Sequence, residues 1–137
     1  MSVLAALCLF AGELQAQIPE DRFTLRWQHS IEKIDWEEDY QVVGNWLYLG
    51  NARVRGSGAG MEPPPGSFYA KGVWHYRPAP DMRWSRSLQL TRSEFARDYD
   101  LCLNGTCQAL SNWIPIAAGT TTLRPCQVSP TDPTAGR

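Results

Sequence analysis

The order of apolar and polar positions along this chain is typical of β-strands. Residues 23–30, FTLRWQHS, alternate strictly, so that Phe23, Leu25, Trp27 and His29 share one face of a predicted strand. No stretch of ten or more residues has the spacing of an amphipathic helix, although residues 91–97 have the composition of a short helical turn. The pattern therefore predicts an all-β protein.

Turn-forming residues separate this strand from several others. A strand through Tyr40 and Val42 meets the hairpin dipeptide Gly44-Asn45 and returns through residues 46–54, where Gly50-Asn51 predicts a bulge. Further strands are predicted at residues 67–77, 88–90 and 120–124, with a hairpin at 102–107. Short strands of this kind predict a small antiparallel β-sandwich or a partly open barrel.

The two ends of the chain depart from this pattern. Residues 1–16 are a short apolar run that ends in Leu14-Gln15-Ala16, which resembles a cleavage site and predicts a signal peptide or an N-terminal membrane anchor. Residues 20–126 then form a single β-domain. Residues 127–137 have no large apolar side chain after Val128 and predict a disordered tail. We therefore expect a periplasmic or exported protein, either released or anchored to the inner membrane by its N-terminus.

Charge narrows the class of partner. The chain has 13 basic and 14 acidic side chains, and this balance argues against a nucleic-acid partner, which usually requires a basic surface. Residues 1–50 carry eight acids and three bases, whereas residues 51–97 carry eight bases and three acids. We expect the two segments to pair their charges in the folded protein.

The cysteine positions predict one disulfide. Cys102 and Cys107 flank a Leu-Asn-Gly-Thr tetrapeptide, and Asn-Gly is a strong signal for a two-residue hairpin turn. That register places the two cysteines opposite each other as a non-hydrogen-bonded pair, close enough for a disulfide. Zinc is a weaker alternative, because no histidine spacing completes a site. Cys8 leaves with the predicted signal peptide, and Cys126 is left without an assigned role.

His29 is the main candidate for chemistry. It lies in phase with the apolar face, and five carboxylates follow between residues 32 and 39, so Glu37 or Glu38 is expected to contact the imidazole. Ser30 points to the opposite face of a continuing strand, and no nucleophile elbow is present in the sequence. A structural histidine bonded to a carboxylate or a backbone carbonyl is therefore favoured over a catalytic one, and no catalytic residue is assigned.

Three further patterns have a functional and a structural interpretation. Asp35, Glu37 and Asp39 alternate and suggest a hard-cation site, but a solvated acidic loop is favoured and no metal or cofactor is assigned. Residues 53–66, RVRGSGAGMEPPPG, suggest an anion cradle, but they lack the Lys-Ser/Thr ending of a phosphate loop, and three prolines preclude the helix of a dinucleotide site, so a rigid turn is favoured. Six tryptophans and five tyrosines suggest core or sheet-edge packing, or else an aromatic ligand groove or partner surface.

Three strings, WQHSIEK, WEED and RVRGSGAGMEPP, resemble the bacterial family called domain of unknown function 1850 over roughly residues 22–115. The resemblance implies that His29, Ser30, Glu38 and residues 56–61 are characteristic positions of the family. It also implies a small exported or membrane-tethered protein encoded beside tripartite (TRAP) transporters of the TAXI type, which use a periplasmic solute receptor and a permease.

These observations lead to two hypotheses. The first is a non-enzymatic exported accessory protein that contacts the TAXI-type permease or its solute receptor. The alternative is a small periplasmic ligand- or cation-binding β-module, and a hydrolase that uses His29 is disfavoured. In both leading hypotheses the binding or docking surface comprises His29, Ser30, Glu37, Glu38, Arg55, Gly58, Gly60, Met61 and Glu62.

Overall fold

A computed structural model of the chain describes residues 3–28, 34–55 and 66–129. Within these ranges, twelve β-strands account for the regular structure together with three single turns of 3₁₀-helix. The strands are β1 (Leu4–Ala11), β2 (Leu14–Ile18), β3 (Arg22–Gln28), β4 (Asp35–Val43), β5 (Trp46–Arg55), β6 (Phe68–Ala70), β7 (Val73–Tyr76), β8 (Trp84–Ser85), β9 (Leu88–Leu90), β10 (Asp100–Leu103), β11 (Thr106–Ala109) and β12 (Thr121–Val128). The 3₁₀ turns are Pro80–Met82, Leu110–Asn112 and Ile116–Ala118.

The strands form two antiparallel sheets. The first has the order β2-β1-β12-β9, and the second has the order β11-β10-β3-β4-β5-β7-β6, with β8 paired to β5. A single buried cluster draws apolar side chains from both sheets: Leu7, Leu9, Ala11, Ile18, Phe23, Leu25, Tyr40, Val42, Leu47, Leu49, Leu90, Leu101, Leu110, Ile114 and Leu123. The described strands do not close into a barrel. The prediction of a small antiparallel β-sandwich is therefore confirmed.

The N-terminal segment forms part of the core, which differs from its prediction as a signal peptide or membrane anchor. Strand β1 pairs with β12 from Leu4 to Phe10, and Leu7 and Leu9 are fully buried. A continuous apolar run is the pattern of a strand buried on both faces as well as that of a leader, so the sequence did not indicate this pairing, and a cleaved or anchoring N-terminus stays a prediction. In the part of the chain that the structure describes, no helix has the length and apolar character needed to span a membrane.

A second disulfide joins the two ends of the described chain. Cys8 in β1 is bonded to Cys126 in β12, with a Cα–Cα distance of 5.8 Å. Cys8 was expected to leave with a signal peptide, and Cys126 had no predicted partner. Because two disulfides are typical of proteins from oxidising compartments, the pair indicates an extracytoplasmic environment.

The domain also extends beyond its predicted C-terminal limit. Strand β12 continues through Gln127 to Val128, which is buried, so the predicted tail at 127–137 begins inside a strand. Residues 130–137 lie outside the described residues, and the prediction of disorder there stays a prediction.

Local turn signals predicted most of the second sheet correctly. Gly44-Asn45 forms the β4–β5 turn, with Val43 opposite Trp46, and the pairing of these strands shifts register where Gly50-Asn51 lies opposite Asp39. The predicted long strand at 67–77 is instead a hairpin of β6 and β7, because Lys71 and Gly72 both have positive φ, 52° and 80°, and reverse the chain. Where a short helical turn was predicted, residues 91–97 contain one hydrogen-bonded turn, in which the Ala96 amide donates to the Ser93 carbonyl and the Phe95 amide donates to Ser93 Oγ.

Candidate functional site

Glu37 and Glu38 are adjacent in β4 but point to opposite faces of the large sheet. Glu37 lies opposite Arg53 of β5, on the outer face of the sheet. Glu38 lies opposite the buried residues Leu25 of β3 and Ala52 of β5, on the face towards the core. The acid-dense segment predicted as a solvated loop is therefore a strand from Asp35 onwards, and it presents carboxylates on two separate surfaces.

On the outer face, Arg53 neutralises two carboxylates. Its Nε donates to Glu37 Oε1 at 3.0 Å, and its Nη1 and Nη2 donate to the two oxygens of Asp39 at 2.7 Å each. Thr24 Oγ1 also donates to Asp39 at 2.7 Å, and Arg55 lies 3.3 Å from Glu37. These contacts confirm that the acidic first half of the chain pairs with the basic segment that follows it.

The ion pairs determine how these acids titrate. Burial by itself raises the pKa of Glu37, but hydrogen bonds and charges from Arg53 and Arg55 outweigh it and hold the pKa below its usual value. Burial acts in the same direction on Asp39, and Arg53 and Thr24 again bring its pKa below the usual value. Both groups are therefore ionised and paired at neutral pH.

The paired acids border an open groove on the outer face. Its volume is about 760 Å³, and its lining includes Thr24, Tyr48, Arg53 and the Cys102–Cys107 disulfide. A volume of this size is typical of small-molecule sites, but the Arg53 guanidinium inside it is already engaged by Glu37 and Asp39. The groove therefore has the volume of a ligand site, but the Arg53 guanidinium that lines it is not a free charge.

The disulfide predicted from the Asn-Gly hairpin is confirmed. Cys102 pairs with Cys107 across β10 and β11, and their Cα atoms are 3.9 Å apart. Asn104 and Gly105 form the turn with positive φ, 53° and 84°. The staple fixes the hairpin at one border of the groove.

On the inner face, Glu38 lies among aromatic side chains. The Trp27 indole Nε1 donates to Glu38 Oε1 at 3.4 Å, and the Tyr40 hydroxyl is also hydrogen-bonded to this carboxylate. Burial raises the pKa of Glu38, and the two hydrogen bonds only partly oppose this effect. Burial and the charge of Glu38 raise the pKa of both Tyr40 and Tyr76.

Trp36 and Tyr99 extend this inner-face site, which we define as Glu38, Trp27, Trp36, Tyr40, Tyr76 and Tyr99. Trp27 and Trp36 stack with centroids 5.4 Å apart and ring planes 5° apart. The Trp36 Nε1 is buried and has no hydrogen-bond partner among the described residues. Burial, Asp98 and Glu38 raise the pKa of Tyr99.

The loop before β10 is fixed beside this site by a buried ion pair. Arg92, whose side chain is fully buried, donates from Nε and Nη2 to the two oxygens of Asp98 at 2.9 and 2.8 Å. Arg92 Nη1 also donates to Thr121 Oγ1 at 3.0 Å, which ties the loop to β12. A small cavity of about 110 Å³ lies between this loop and Trp27. The ion pair therefore positions Tyr99 and leaves a space next to Trp27.

A second surface was not predicted as a site. We define the outer aromatic patch as Trp46, Tyr48, Trp84, Arg83 and Arg86. Trp46 and Trp84 are 39% and 48% exposed, and Trp84 packs on Tyr48 with centroids 4.7 Å apart. Arg86 lies over the Trp46 ring at 4.4 Å, and Arg83 Nη1 donates to the Tyr48 hydroxyl at 2.9 Å. The sequence could have indicated this patch, because Trp46 and Tyr48 alternate with the buried leucines of β5 and so point to the outer face.

Of the residues predicted as one surface, Glu37, Glu38 and Arg55 are described. Glu37 and Arg55 are together on the outer face, whereas Glu38 is on the other face. The grouping of Glu37 with Glu38 in one surface is therefore wrong. The remaining members, His29, Ser30, Gly58, Gly60, Met61 and Glu62, lie outside the described residues. The expected contact between His29 and Glu37 or Glu38 stays a prediction.

The cation hypothesis for the alternating acids loses its support on the outer face. Glu37 and Asp39 direct their oxygens to Arg53, and Asp35 lies 3.9 Å from Arg97. Across residues 3–28, 34–55 and 66–129, no group of three or more His, Cys, Asp or Glu side chains has the geometry to hold a metal ion. The pairing of these acids with arginine explains their density without a metal.

Comparison with known proteins places most of this sheet in one family. Residues 23–110 match the family model described as "Domain of unknown function (DUF1850)". The match runs from β3 to the end of β11 and includes both glutamates, the outer ion pairs and the Cys102–Cys107 hairpin. No curated protein and no solved structure shows significant similarity to the chain.

Proposed function

Because the chain belongs to the DUF1850 family, we propose that it is a non-enzymatic exported accessory protein of a TAXI-type TRAP transporter, where it contacts the permease or the solute receptor. The family resemblance supports the association with the transporter. The two disulfides support a periplasmic location, since they require an oxidising compartment.

The outer aromatic patch is the observation that supports docking. Tryptophan, tyrosine and arginine are the residues that most often dominate binding energy at protein interfaces. Trp46 and Trp84 are exposed here although they lie in or beside the large sheet, and Arg83 and Arg86 hold the aromatic rings through direct contacts. Because the rings are already ordered, their immobilisation adds little entropic cost to association.

The patch continues into the predicted surface on the same face. Tyr48 belongs to the patch and also lines the groove, which extends along β5 to Arg53 and Arg55. Glu37 and Arg55, the two predicted docking residues on this face, border the far end of the groove. We therefore assign the docking surface to the outer face of β4 and β5, from Arg55 to Trp84.

Co-purification from membranes tests this function. The tagged protein, expressed with its neighbouring permease and receptor, is expected to recover one of them. A variant carrying Trp46→Ala and Trp84→Ala is expected to lose this recovery while keeping its cooperative unfolding transition. Phe68→Ala is the matched control, because Phe68 is a 60% exposed aromatic residue outside the patch. Recovery of neither protein, or equal recovery by the double variant, would refute the proposal.

The second candidate function is a small ligand-binding β-module. It is favoured by Glu38, a carboxylate on the inner face that contacts indole and phenol groups instead of a guanidinium. This function concerns the opposite face of the sheet from the docking surface, so the two candidates can be tested separately.

A further inference from the structure

We propose that the inner-face site binds a small organic ammonium ion, with Glu38 as the counter-ion and the surrounding indole and phenol rings as its walls. The proposal rests on the second candidate function, the ligand-binding module, and specifies its site and the chemical class of its ligand. It is independent of docking to a transporter.

The first argument is the contrast between Glu38 and the other acids of the same strand. Asp35, Glu37 and Asp39 each have an arginine within 4 Å. Glu38 is partly buried, as Asp35 is, yet no described arginine or lysine forms an ion pair with it. A carboxylate in such a position usually has a partner or a functional role, because an unpaired buried charge is costly.

The second argument is the chemistry of the walls. Trp27 and Tyr40 are hydrogen-bonded to Glu38, and the charge of Glu38 contributes, after burial, to the raised pKa of Tyr76 and Tyr99. Aromatic faces attract ammonium groups through the ring quadrupole, and one carboxylate among several rings is a typical environment for an amine or quaternary ammonium. Such a ligand supplies the positive charge that the described arginines and lysines do not bring to Glu38.

A third observation gives the ligand a second polar contact. The buried Trp36 Nε1 has no acceptor within the described ranges, and the Trp36 ring stacks on Trp27, which donates to Glu38. An unsatisfied buried donor is uncommon in native proteins and suggests an acceptor that is bound from outside. A solute with an ammonium group and a neighbouring oxygen would satisfy both Glu38 and Trp36.

The same geometry disfavours an inorganic divalent ion. Calcium takes six to eight oxygen ligands, and magnesium demands an octahedral set. The described part of the inner-face site offers a single carboxylate, and phenol hydroxyls with raised pKa values are poor anionic ligands. An organic cation needs no such ligand set, because ring faces provide most of its contacts.

Tryptophan fluorescence of the full chain tests the proposal, since Trp27 and Trp36 are both part of the site. Titration with tetramethylammonium chloride or ethylammonium chloride is expected to give a saturable change that sodium chloride at equal ionic strength does not give. Glu38→Gln is expected to weaken this binding at least tenfold. Glu37→Gln is the matched control, because it removes the adjacent carboxylate on the other face and is expected to leave the affinity within about twofold.

Two further measurements keep the result interpretable. If Glu38→Gln does not fold, Trp27→Phe removes the indole donor and is also expected to weaken ammonium binding. His29→Gln tests the competing partner that strand phase predicts on the same face. If the ammonium probes bind His29→Gln but not the unaltered protein, the His29 imidazole is the partner of Glu38. The proposal is then wrong.

The remaining outcomes separate this proposal from the broader ones. Absence of saturable binding up to 100 mM of either probe, or equal binding by Glu38→Gln, would overturn the ammonium site. A thermal shift with carboxylate or neutral solutes that Glu38→Gln does not change would support a ligand-binding module but refute the ammonium site. Capture of the permease or receptor is expected to be unaffected by Glu38→Gln, so failure of the docking function is detected by its own experiment.

Discussion

The Cys8–Cys126 disulfide provides the sharpest test of the fold at the N-terminus. It joins residues 118 positions apart in the sequence, whereas Cys102 and Cys107 are 5 positions apart. In the chain-entropy model a crosslink stabilises the fold mainly by restricting the unfolded chain, and its effect increases with the logarithm of the loop length. For these separations the model gives about 4.9 kcal/mol for Cys8–Cys126 and about 2 kcal/mol for Cys102–Cys107.

We therefore expect two double variants to differ strongly. Replacing Cys8 and Cys126 by alanine is expected to lower the free energy of unfolding by about 5 kcal/mol, and replacing Cys102 and Cys107 by about 2 kcal/mol. With a urea m-value of about 1.5 kcal/mol per M, the unfolding midpoints fall by about 3 M and about 1.3 M. Since domains are typically stable by only about 5–15 kcal/mol, the first variant is expected to be close to unfolding without urea.

Urea titration followed by tryptophan fluorescence checks this difference, and peptide mapping under non-reducing conditions checks the linkage itself. The hairpin variant serves as the control for loss of a disulfide as such. An equal loss of stability in both variants, or a larger loss in the hairpin variant, would refute the reasoning. Isolation of a stable mature protein without Cys8 would refute the assignment of β1 to the core.

Two further predictions concern the large sheet. Arg53→Met is expected to cost about 2 kcal/mol at pH 7, because it leaves the buried Glu37 and the partly exposed Asp39 without their main partner, while Arg55 still pairs with Glu37. Since the folded pKa values of these acids are lowered, their contribution is present above about pH 4 and is lost as the pH falls through the folded values. Urea midpoints between pH 7 and pH 2.5 are expected to fall less steeply in Arg53→Met, and equal slopes would contradict this. Gly72→Ala is expected to cost about 1 kcal/mol because its φ is +80°, and an unchanged melting temperature would contradict the turn.

Sequence patterns predicted the parts of the fold that local chemistry determines. The strict alternation of residues 23–28 gave β3 its inward face, and the Gly44-Asn45 and Asn104-Gly105 turns gave two hairpins with their register. In each case the partner strand follows within a few residues, and the turn type sets which side chains lie opposite each other. The Cys102–Cys107 disulfide could be predicted for the same reason.

Long-range pairing could not be predicted in this way. The apolar run in β1 has no period, and its partner β12 lies more than 100 residues further along the chain. The hydropathy of such a run does not distinguish a strand buried on both faces from a leader. The charge balance predicted that the acids of β4 pair with the basic segment, but not that Arg53 is their partner, because the register at that point depends on the bulge opposite Asp39.

The bulge at Gly50-Asn51 explains why one strand serves two different surfaces. Leu49 faces the core opposite Tyr40, and in a regular strand Asn51, Arg53 and Arg55 would follow it on that face. The extra residue opposite Asp39 reverses the phase, so Ala52 and Val54 face the core and both arginines face outwards. The arginines therefore reach Glu37 and Asp39 but not Glu38. The backbone pairing therefore explains why no described arginine pairs with Glu38. For this reason we assign a ligand to the inner face of the sheet and a protein partner to the outer face.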